Sequence, residues 1–164
     1  MHIRPSTPAD GDAIWAILEP AIRAGETYAL PRDWGRSQAL DYWCGADREA
    51  FVAEADGAVL GSFFVRANQP GPGGHVANAG YATHPDAAGR GLATAMARAS
   101  LDWARARSFR AMQFNFVVST NARAVRLWQH LGFAIVGTLP GAFRHPALGD
   151  VDVYVMYQRI EATA

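Results

Sequence analysis

Val76-Ala77-Asn78-Ala79-Gly80-Tyr81-Ala82-Thr83-His84-Pro85-Asp86-Ala87-Ala88-Gly89-Arg90-Gly91-Leu92-Ala93-Thr94 says most about how this chain folds. Val76 to Thr83 has strand character. Two glycines then flank Arg90, and a helix begins behind them: Leu92, Met96, Ala99 and Trp103 recur at helical spacing to about Arg107. A strand, a glycine-bracketed turn and a helix leave several backbone N–H groups open at a helix N-terminus, where the dipole also favours negative charge. The turn is expected to cradle a phosphate or pyrophosphate.

Upstream, His2 to Pro5 reads as a short strand. Thr7-Pro8-Ala9-Asp10 opens a helix, with Thr7 as cap, Pro8 at the first helical position and Asp10 three residues after the cap. Ile14, Ile17, Leu18 and Ile22 give it an apolar face, and Pro20 is expected to kink or end it near Glu19. Gly25 to Trp34 reads as a loop, and Ser37 to Cys44 as a second helix with Cys44 as a small buried side chain. Ala50–Ala55 and Ala58–Arg66 form a hairpin about Asp56-Gly57, a strong two-residue turn signal. Downstream of the quoted stretch come a strand at Ala111–Val118 and a helix at Ala122–Leu131. Strands at Phe133–Thr138 and Val151–Gln158 follow, separated by a Gly/Pro loop at Leu139–Asp150. The order βααβββαβαββ, with hairpins and strand–helix–strand crossovers, predicts one α/β domain over residues 1–164, a mixed sheet with helices on both faces.

Composition narrows the partners. Half of the 164 residues are apolar and 18% are charged, with 15 basic against 15 acidic side chains. A net charge of zero gives no global attraction to nucleic acid or to an anionic membrane, so neither is expected as a partner. The polar start, Met1 to Asp10, does not read as a secretory leader, and no apolar run reaches the roughly 20 residues of a membrane span. A single cysteine excludes an internal disulfide and fits a reducing cytoplasm. No His/Cys/Asp/Glu spacing suggests a metal, and no nucleophile motif suggests an acyl-enzyme.

The glycine turn is not a Walker A loop, which needs Gly-x-x-x-x-Gly-Lys-Ser/Thr. Nor is it a dinucleotide fingerprint: Thr94 stands where a third glycine belongs, and no acidic residue ends the following strand near Gln113. A second segment decides the matter: Asn121-Ala122-Arg123-Ala124-Val125-Arg126-Leu127-Trp128-Gln129-His130-Leu131-Gly132-Phe133. The two together resemble the GCN5-related N-acetyltransferase (GNAT) family, whose motifs read Gln/Arg-x-x-Gly-x-Gly/Ala and Asn-x-x-Ala-x-x-Leu-Tyr-x-x-x-Gly-Phe. The element order matches that fold along nearly the whole chain.

The resemblance implies a mostly antiparallel sheet splayed between the strand ending at Thr83 and the strand beginning at Ala111. Acetyl-CoA would lie in the opening as co-substrate, with no metal. Its pantetheine would pair with the backbone of Tyr81, Ala82 and Thr83, and its pyrophosphate would sit on Ala88, Gly89, Arg90, Gly91, Leu92, Ala93 and Thr94. Asn121 would hydrogen-bond the pantetheine or its surroundings. Dimers are common in the family, which leaves a homodimer open. Two positions depart from the family pattern. Ala88 stands for Gln or Arg, a change that backbone donors survive. Trp128 stands for the tyrosine that often protonates the departing thiolate; an indole N–H is a weak donor, so Trp128 is expected as a core or cleft wall.

Asn78 and Asn115 each lie mid-strand among apolar neighbours, where a buried amide must find partners. Their segments, with Trp128, resemble family members acting on azetidine-2-carboxylate and cis-4-hydroxyproline. By that resemblance Asn115 and the following N–H would hold a substrate carboxylate, and Asn78 would orient the amine. Glu26 and His145 are further candidates for the acceptor site, and Tyr154 is a reserve acid. The expected activity is N-acetylation of a small-molecule amine or amino acid by direct attack on the thioester. The alternatives are a protein or peptide N-acetyltransferase and a non-catalytic acyl-CoA-binding module.

Overall fold

Period-2 alternation in the strands and 3.6-residue spacing in the helices place an apolar layer on each side of one sheet. A computed structural model describes residues 1–87 and 89–161. The elements are β1 (His2–Pro5), α1 (Gly11–Ala24), α2 (Arg36–Trp43), β2 (Arg48–Ala55), β3 (Ala58–Ala67), β4 (Val76–Thr83), α3 (Leu92–Ala106), β5 (Ala111–Val118), α4 (Ala122–His130), β6 (Ala134–His145) and β7 (Gly149–Arg159). The sheet order is β1-β2-β3-β4-β5-β7-β6. Only β4–β5 is parallel, because α3 carries the chain across between them. Phe51, Phe63, Val65, Ala77 and Ala79 face Leu92, Met96, Ala97 and Ala104 of α3. On the opposite face Val52, Phe64 and Ala82 meet Ile14, Ile17, Leu18 and Ile22 of α1, and Ala39 and Trp43 of α2.

The helices begin where the sequence says. The Asp10 carboxylate accepts the Thr7 N–H (2.7 Å) and the Arg4 guanidinium (2.8 and 2.9 Å), closing a one-turn entry into α1. Asp56 and Gly57 both take positive φ (53° and 78°), the two left-handed residues that a tight hairpin turn needs.

Three expectations give way. Pro20 neither kinks nor ends α1, which runs on to Ala24. Pro20 and Ala16 both lie on the exposed side, so water can take the carbonyl that proline leaves unbonded. Leu139–Asp150 is not a loop. β6 continues to His145, β7 starts at Gly149, and the two form a long ribbon. A bulge between Leu139 and Phe143 absorbs Pro140 and Gly141, with the Gly141 N–H donating to Asp152 Oδ1 at 3.0 Å. Cys44 caps α2 and is exposed rather than buried. No helix among the described residues is long and apolar enough to cross a membrane.

The sheet is splayed at its one parallel seam, as expected. β4 and β5 pair at Val76↔Ala111 and Ala77↔Met112 and then part. On the far side of β5 the register moves from Phe114↔Met156 to Val117↔Tyr154, so Asn115 and Phe116 oppose a single β7 residue. Such a bulge bends its strand and increases local twist, here turning β5 away from β4.

Candidate functional site

Two cavities open along the split. One, of about 520 Å³, lies on the α1/α2 side and is lined by Thr27–Leu30, Tyr42, Phe64, Arg66, Asn78–Thr83, Phe114–Val118 and Trp128, among others. The other, of about 430 Å³, lies toward the glycine turn and is lined by Tyr81–Pro85, Gly89, Gly91–Thr94, Arg123 and Leu127. Tyr81, Ala82, Thr83, Asn121, Ala124 and Trp128 line both, so the cavities meet there.

Backbone direction along β4 follows from its ladder with β3. Asn68 N–H bonds Val76 C=O (2.8 Å), and His84 N–H bonds Leu60 C=O (2.8 Å). In an unbroken antiparallel register, hydrogen-bonded pairs alternate. Asn78, Gly80 and Ala82 therefore bond β3, while Ala79, Tyr81 and Thr83 direct N–H and C=O into the split. This corrects the expectation for Ala82: its backbone belongs to the β3 ladder, and Ala79 takes its place at the edge.

At the far end the turn has the form of an anion cradle. Gly89 and Gly91 take φ of 80° and 72°, a region that favours glycine. The first intrahelical bond of α3 runs from Ala95 N–H to Gly91 C=O, so the N–H groups of Leu92, Ala93 and Thr94 precede it. Ala88 lies outside the described residues. Arg90 does not line the cavity; it pairs with Asp56 at 2.8 Å on the surface. Such exposed pairs contribute about 0–1 kcal/mol and exchange readily. Arg123, unmarked by the sequence reading, lines the cavity and brings a cation to it.

Asn78 is 8% exposed, and its amide spans the split. Its Nδ2 donates to Gln113 C=O at 3.0 Å, and its Oδ1 accepts from Arg66 Nε at 3.4 Å. Continuing the β4–β5 register by one rung would bring Ala79 N–H to that same Gln113 carbonyl. Asn78 takes the rung's place and leaves Ala79 N–H facing the opening. Asn115, on the bulge, donates from Nδ2 to Asn68 Oδ1 (2.6 Å) and accepts from Gln113 Nε2 (2.9 Å). Asn121 caps α4, its Oδ1 accepting from Ala124 N–H at 3.4 Å.

Other candidates are placed apart. Glu26 is exposed and lines neither cavity, although Thr27 and Tyr28 beside it do. His145 ends β6 with Nδ1 accepting from the N–H groups of Ala147 and Leu148, away from both cavities. Tyr154 packs against the α3-side core and lines neither cavity. Asp152, two residues before Tyr154 on β7, accepts the Gly141 N–H in the β6 bulge.

Two residues that sequence reasoning missed stand in the larger cavity. The Tyr28 hydroxyl accepts Tyr81 N–H (3.0 Å) and donates to Tyr81 C=O, taking both of that residue's split-facing bonds. Burial holds the Tyr28 phenol well above its usual range, so it stays protonated. Nothing in a loop tyrosine without periodicity announces this. Among the described residues Arg66 is the sole charged side chain lining the cavity, and no His, Asp, Glu, Lys or Cys lines it. Its signal was available: it is the one charge in the strand run Ala58–Ala67.

Trp128 is 8% exposed, with its ring 4.9 Å from those of Tyr81 and Phe114. It is a wall between the cavities, with aromatic contacts on several sides. Trp128→Phe is expected to retain most activity, within about ten-fold in kcat, because packing area and not a proton is what the ring supplies. Steady-state rates beside a thermal melt check this; a kcat loss beyond about 100-fold in a folded variant gives the indole a chemical role.

The chain is similar to known proteins along most of its length. A profile of the acetyltransferase (GNAT) family matches residues 13–133. The N-acetyltransferase aca1 of Schizosaccharomyces pombe is 33% identical over 151 residues, covering 82% of this chain and 72% of that one. A GCN5-related N-acetyltransferase from Kribbella flavida superposes with a TM-score of 0.90 at 42% identity, covering 96% of each chain. The acetyltransferase yncA of Salmonella typhimurium, solved with its cofactor acetyl-CoA, shares the fold: its TM-score is 0.85 at 23% identity, over 100% of this chain and 96% of that one. The chain belongs to the acetyltransferase (GNAT) family and is an N-acetyltransferase.

Proposed function

We propose that this protein is a single-domain cytoplasmic enzyme that moves the acetyl group of acetyl-CoA onto the amine of a small amino or imino acid. The observation that carries this is the join at Trp128 between a phosphate-cradling cavity and a second cavity of about 520 Å³, within the size of small-molecule sites. Thr27 to Leu30 wall one side of the second cavity, and a bounded space of this volume suits a small acceptor.

The residues present fit acetyl-CoA. Leu92, Ala93 and Thr94 N–H groups, with Gly89, Gly91 and Arg123, would hold the pyrophosphate. The split-facing edges of Ala79 and Thr83 would pair with the pantetheine, beside Asn121, while Tyr28 holds both split-facing groups of Tyr81 between them. When bound, acetyl-CoA supplies the activated acetyl group. Ala79 N–H then polarises the carbonyl, the acceptor nitrogen attacks, and a C–N bond replaces the C–S bond as the thiol departs. Asn78 Oδ1 keeps a lone pair for the amine, and Asn115 with the N–H after it holds the acceptor from the β5 bulge.

No lining side chain of the acceptor cavity can act as a base near neutral pH. The amine must therefore arrive neutral. Log kcat/KM for the acceptor should rise with unit slope up to the amine's own pKa, with no enzyme bend between pH 5 and 8. A bend near 6.5 would instead assign a base to His84 or another histidine.

A homodimer is part of this reading. β6 is an edge strand, and Ile135, Val136 and Leu139 stand exposed on it. Open edges of this kind pair readily with a second copy; light scattering should report the mass of two chains.

Thiol release from acetyl-CoA, screened over amino acids, imino acids, polyamines, aminoglycosides and peptides, tests the function. Free amino or imino acids should lead. Peptides leading would make this a protein acetyltransferase, and acetyl-CoA binding with no turnover over the whole panel would make it a sensor.

A further inference from the structure

Arg48 and Arg66 stand directly opposite each other on β2 and β3. Like charges so placed destabilise a sheet unless a counter-charge intervenes. Asp47 is that counter-charge. It accepts from Arg48 Nε (2.8 Å) and Nη2 (3.1 Å) and from Arg66 Nη1 (3.2 Å). The hydrogen bonds from Arg48 chiefly, with those from Arg66, hold the Asp47 carboxyl down at about 2, so it is ionised at any working pH.

One carboxylate against two guanidiniums leaves a surplus positive charge and too few acceptors. Arg48 Nη1 is buried with no hydrogen-bond partner. The Arg48 guanidinium lies over the rings of Tyr42 (4.9 Å) and Phe64 (4.7 Å), both of which line the acceptor cavity. Arg66 lines it directly, and its Nη2 donates to nothing among the described residues. Deepening the acceptor reading above, on which this step rests, we infer that Arg66 is the anion anchor of the acceptor site and that the acceptor carries a carboxylate beside its amine.

The geometry sets the spacing as well as the charge. Arg66 Nε reaches Asn78 Oδ1, so an anion on Nη2 lies beside the residue that would meet the amine. A molecule with amine and carboxylate on one carbon spans that short distance. With Nε on Asn78 and Nη1 on Asp47, the rigid guanidinium plane fixes where Nη2 donates, which a flexible lysine does not reproduce. Amines without an anion gain nothing from Arg66 and leave the cluster's charge uncompensated.

Matched acceptors provide the test: proline, its amide and pyrrolidine, with wild type, Arg66→Gln, Arg66→Lys and Asn115→Ala. Wild type should prefer proline, or the leading amino acid of the screen, over its decarboxylated partner by about 100-fold in kcat/KM. Arg66→Gln should raise the amino-acid KM by about 50-fold, cut the preference for the amino acid over the uncharged amine by at least about ten-fold, and leave the acetyl-CoA KM unchanged. Arg66→Lys, which keeps the charge should Gln fail to fold, should lie between, near ten-fold in KM. If wild type prefers amino acids and both Arg66 variants keep the acceptor KM while Asn115→Ala raises it, the anchor is Asn115 and this assignment is overturned. If wild type acetylates no carboxylate-bearing amine at all, the acceptor reading itself fails.

Discussion

Gly91→Val should raise the KM for acetyl-CoA by about 10³, or about 4 kcal/mol of lost binding, while the acceptor KM stays unchanged. Gly91 is the N-cap of α3 and holds φ 72°, ψ 8°. A β-branched residue there costs about 1–2 kcal/mol in a left-handed conformation. Apart from its neighbours in the chain, nothing among the described residues lies within 4 Å of an added Cβ, so the variant has room to fold. The larger loss comes from the site itself. Leu92, Ala93 and Thr94 present their N–H groups just beyond Gly91, and an isopropyl group would stand over them where a pyrophosphate must approach. Gly91→Asn tolerates positive φ better and should cost only about ten-fold. Titration of CoA by calorimetry, with a melt of the free protein, separates binding from folding. An acetyl-CoA KM for Gly91→Val within about three-fold of wild type would remove the phosphate from this turn.

Asn78→Ala should lower kcat by about 10²- to 10³-fold, the loss that follows removal of one donor to a developing oxyanion. The Gln113 carbonyl is the acceptor at stake. Asn78 Nδ2 occupies it at 3.0 Å, in place of the next rung of the β4–β5 ladder. Without that amide, Ala79 N–H becomes the nearest donor for a buried acceptor that cannot stay unpaired at low cost. The seam would then close by one rung, and the donor aimed at the thioester would be spent within the sheet. Stability should change little, since one hydrogen bond replaces another. Asn78→Asp, which cannot donate when ionised, should lose activity equally but also melt lower. Comparing kcat with melting temperature for the two variants distinguishes them. A folded Asn78→Ala enzyme with kcat within about three-fold of wild type would place the oxyanion donor elsewhere on β4.

What the sequence disclosed follows the range over which each feature is encoded. The glycine turn was legible because its geometry is local: two glycines, a strand before and a helix after. Asp56-Gly57 and the helical spacing of Leu92 and Met96 are local too, and the element order followed from them. Pro20 and Pro140-Gly141 misled for one reason. Each was read as a breaker, yet each sits where the structure tolerates a missing bond, Pro20 on a solvated helix face and Pro140-Gly141 in a bulge tied to Asp152. The larger cavity was barely legible because it is assembled from distant segments. Tyr28, Arg66, Asn78 and Asn115 come from a loop and three strands, and only the fold makes them neighbours. Tyr28 on the Tyr81 backbone and Arg66 against Asp47 are contacts across 53 and 19 residues, which no motif spells out.

The proposed reaction is direct acetyl transfer, in this split, to an amine that must be present. Rapid-quench mixing of enzyme with acetyl-CoA, with and without the leading amino acid of the screen, tests it most directly. Thiol release and N-acetylated product, followed by mass, should appear one for one and only when the amine is present, with the protein's own mass unchanged. A burst of thiol without amine, matched by an acetylated protein, would contradict direct transfer.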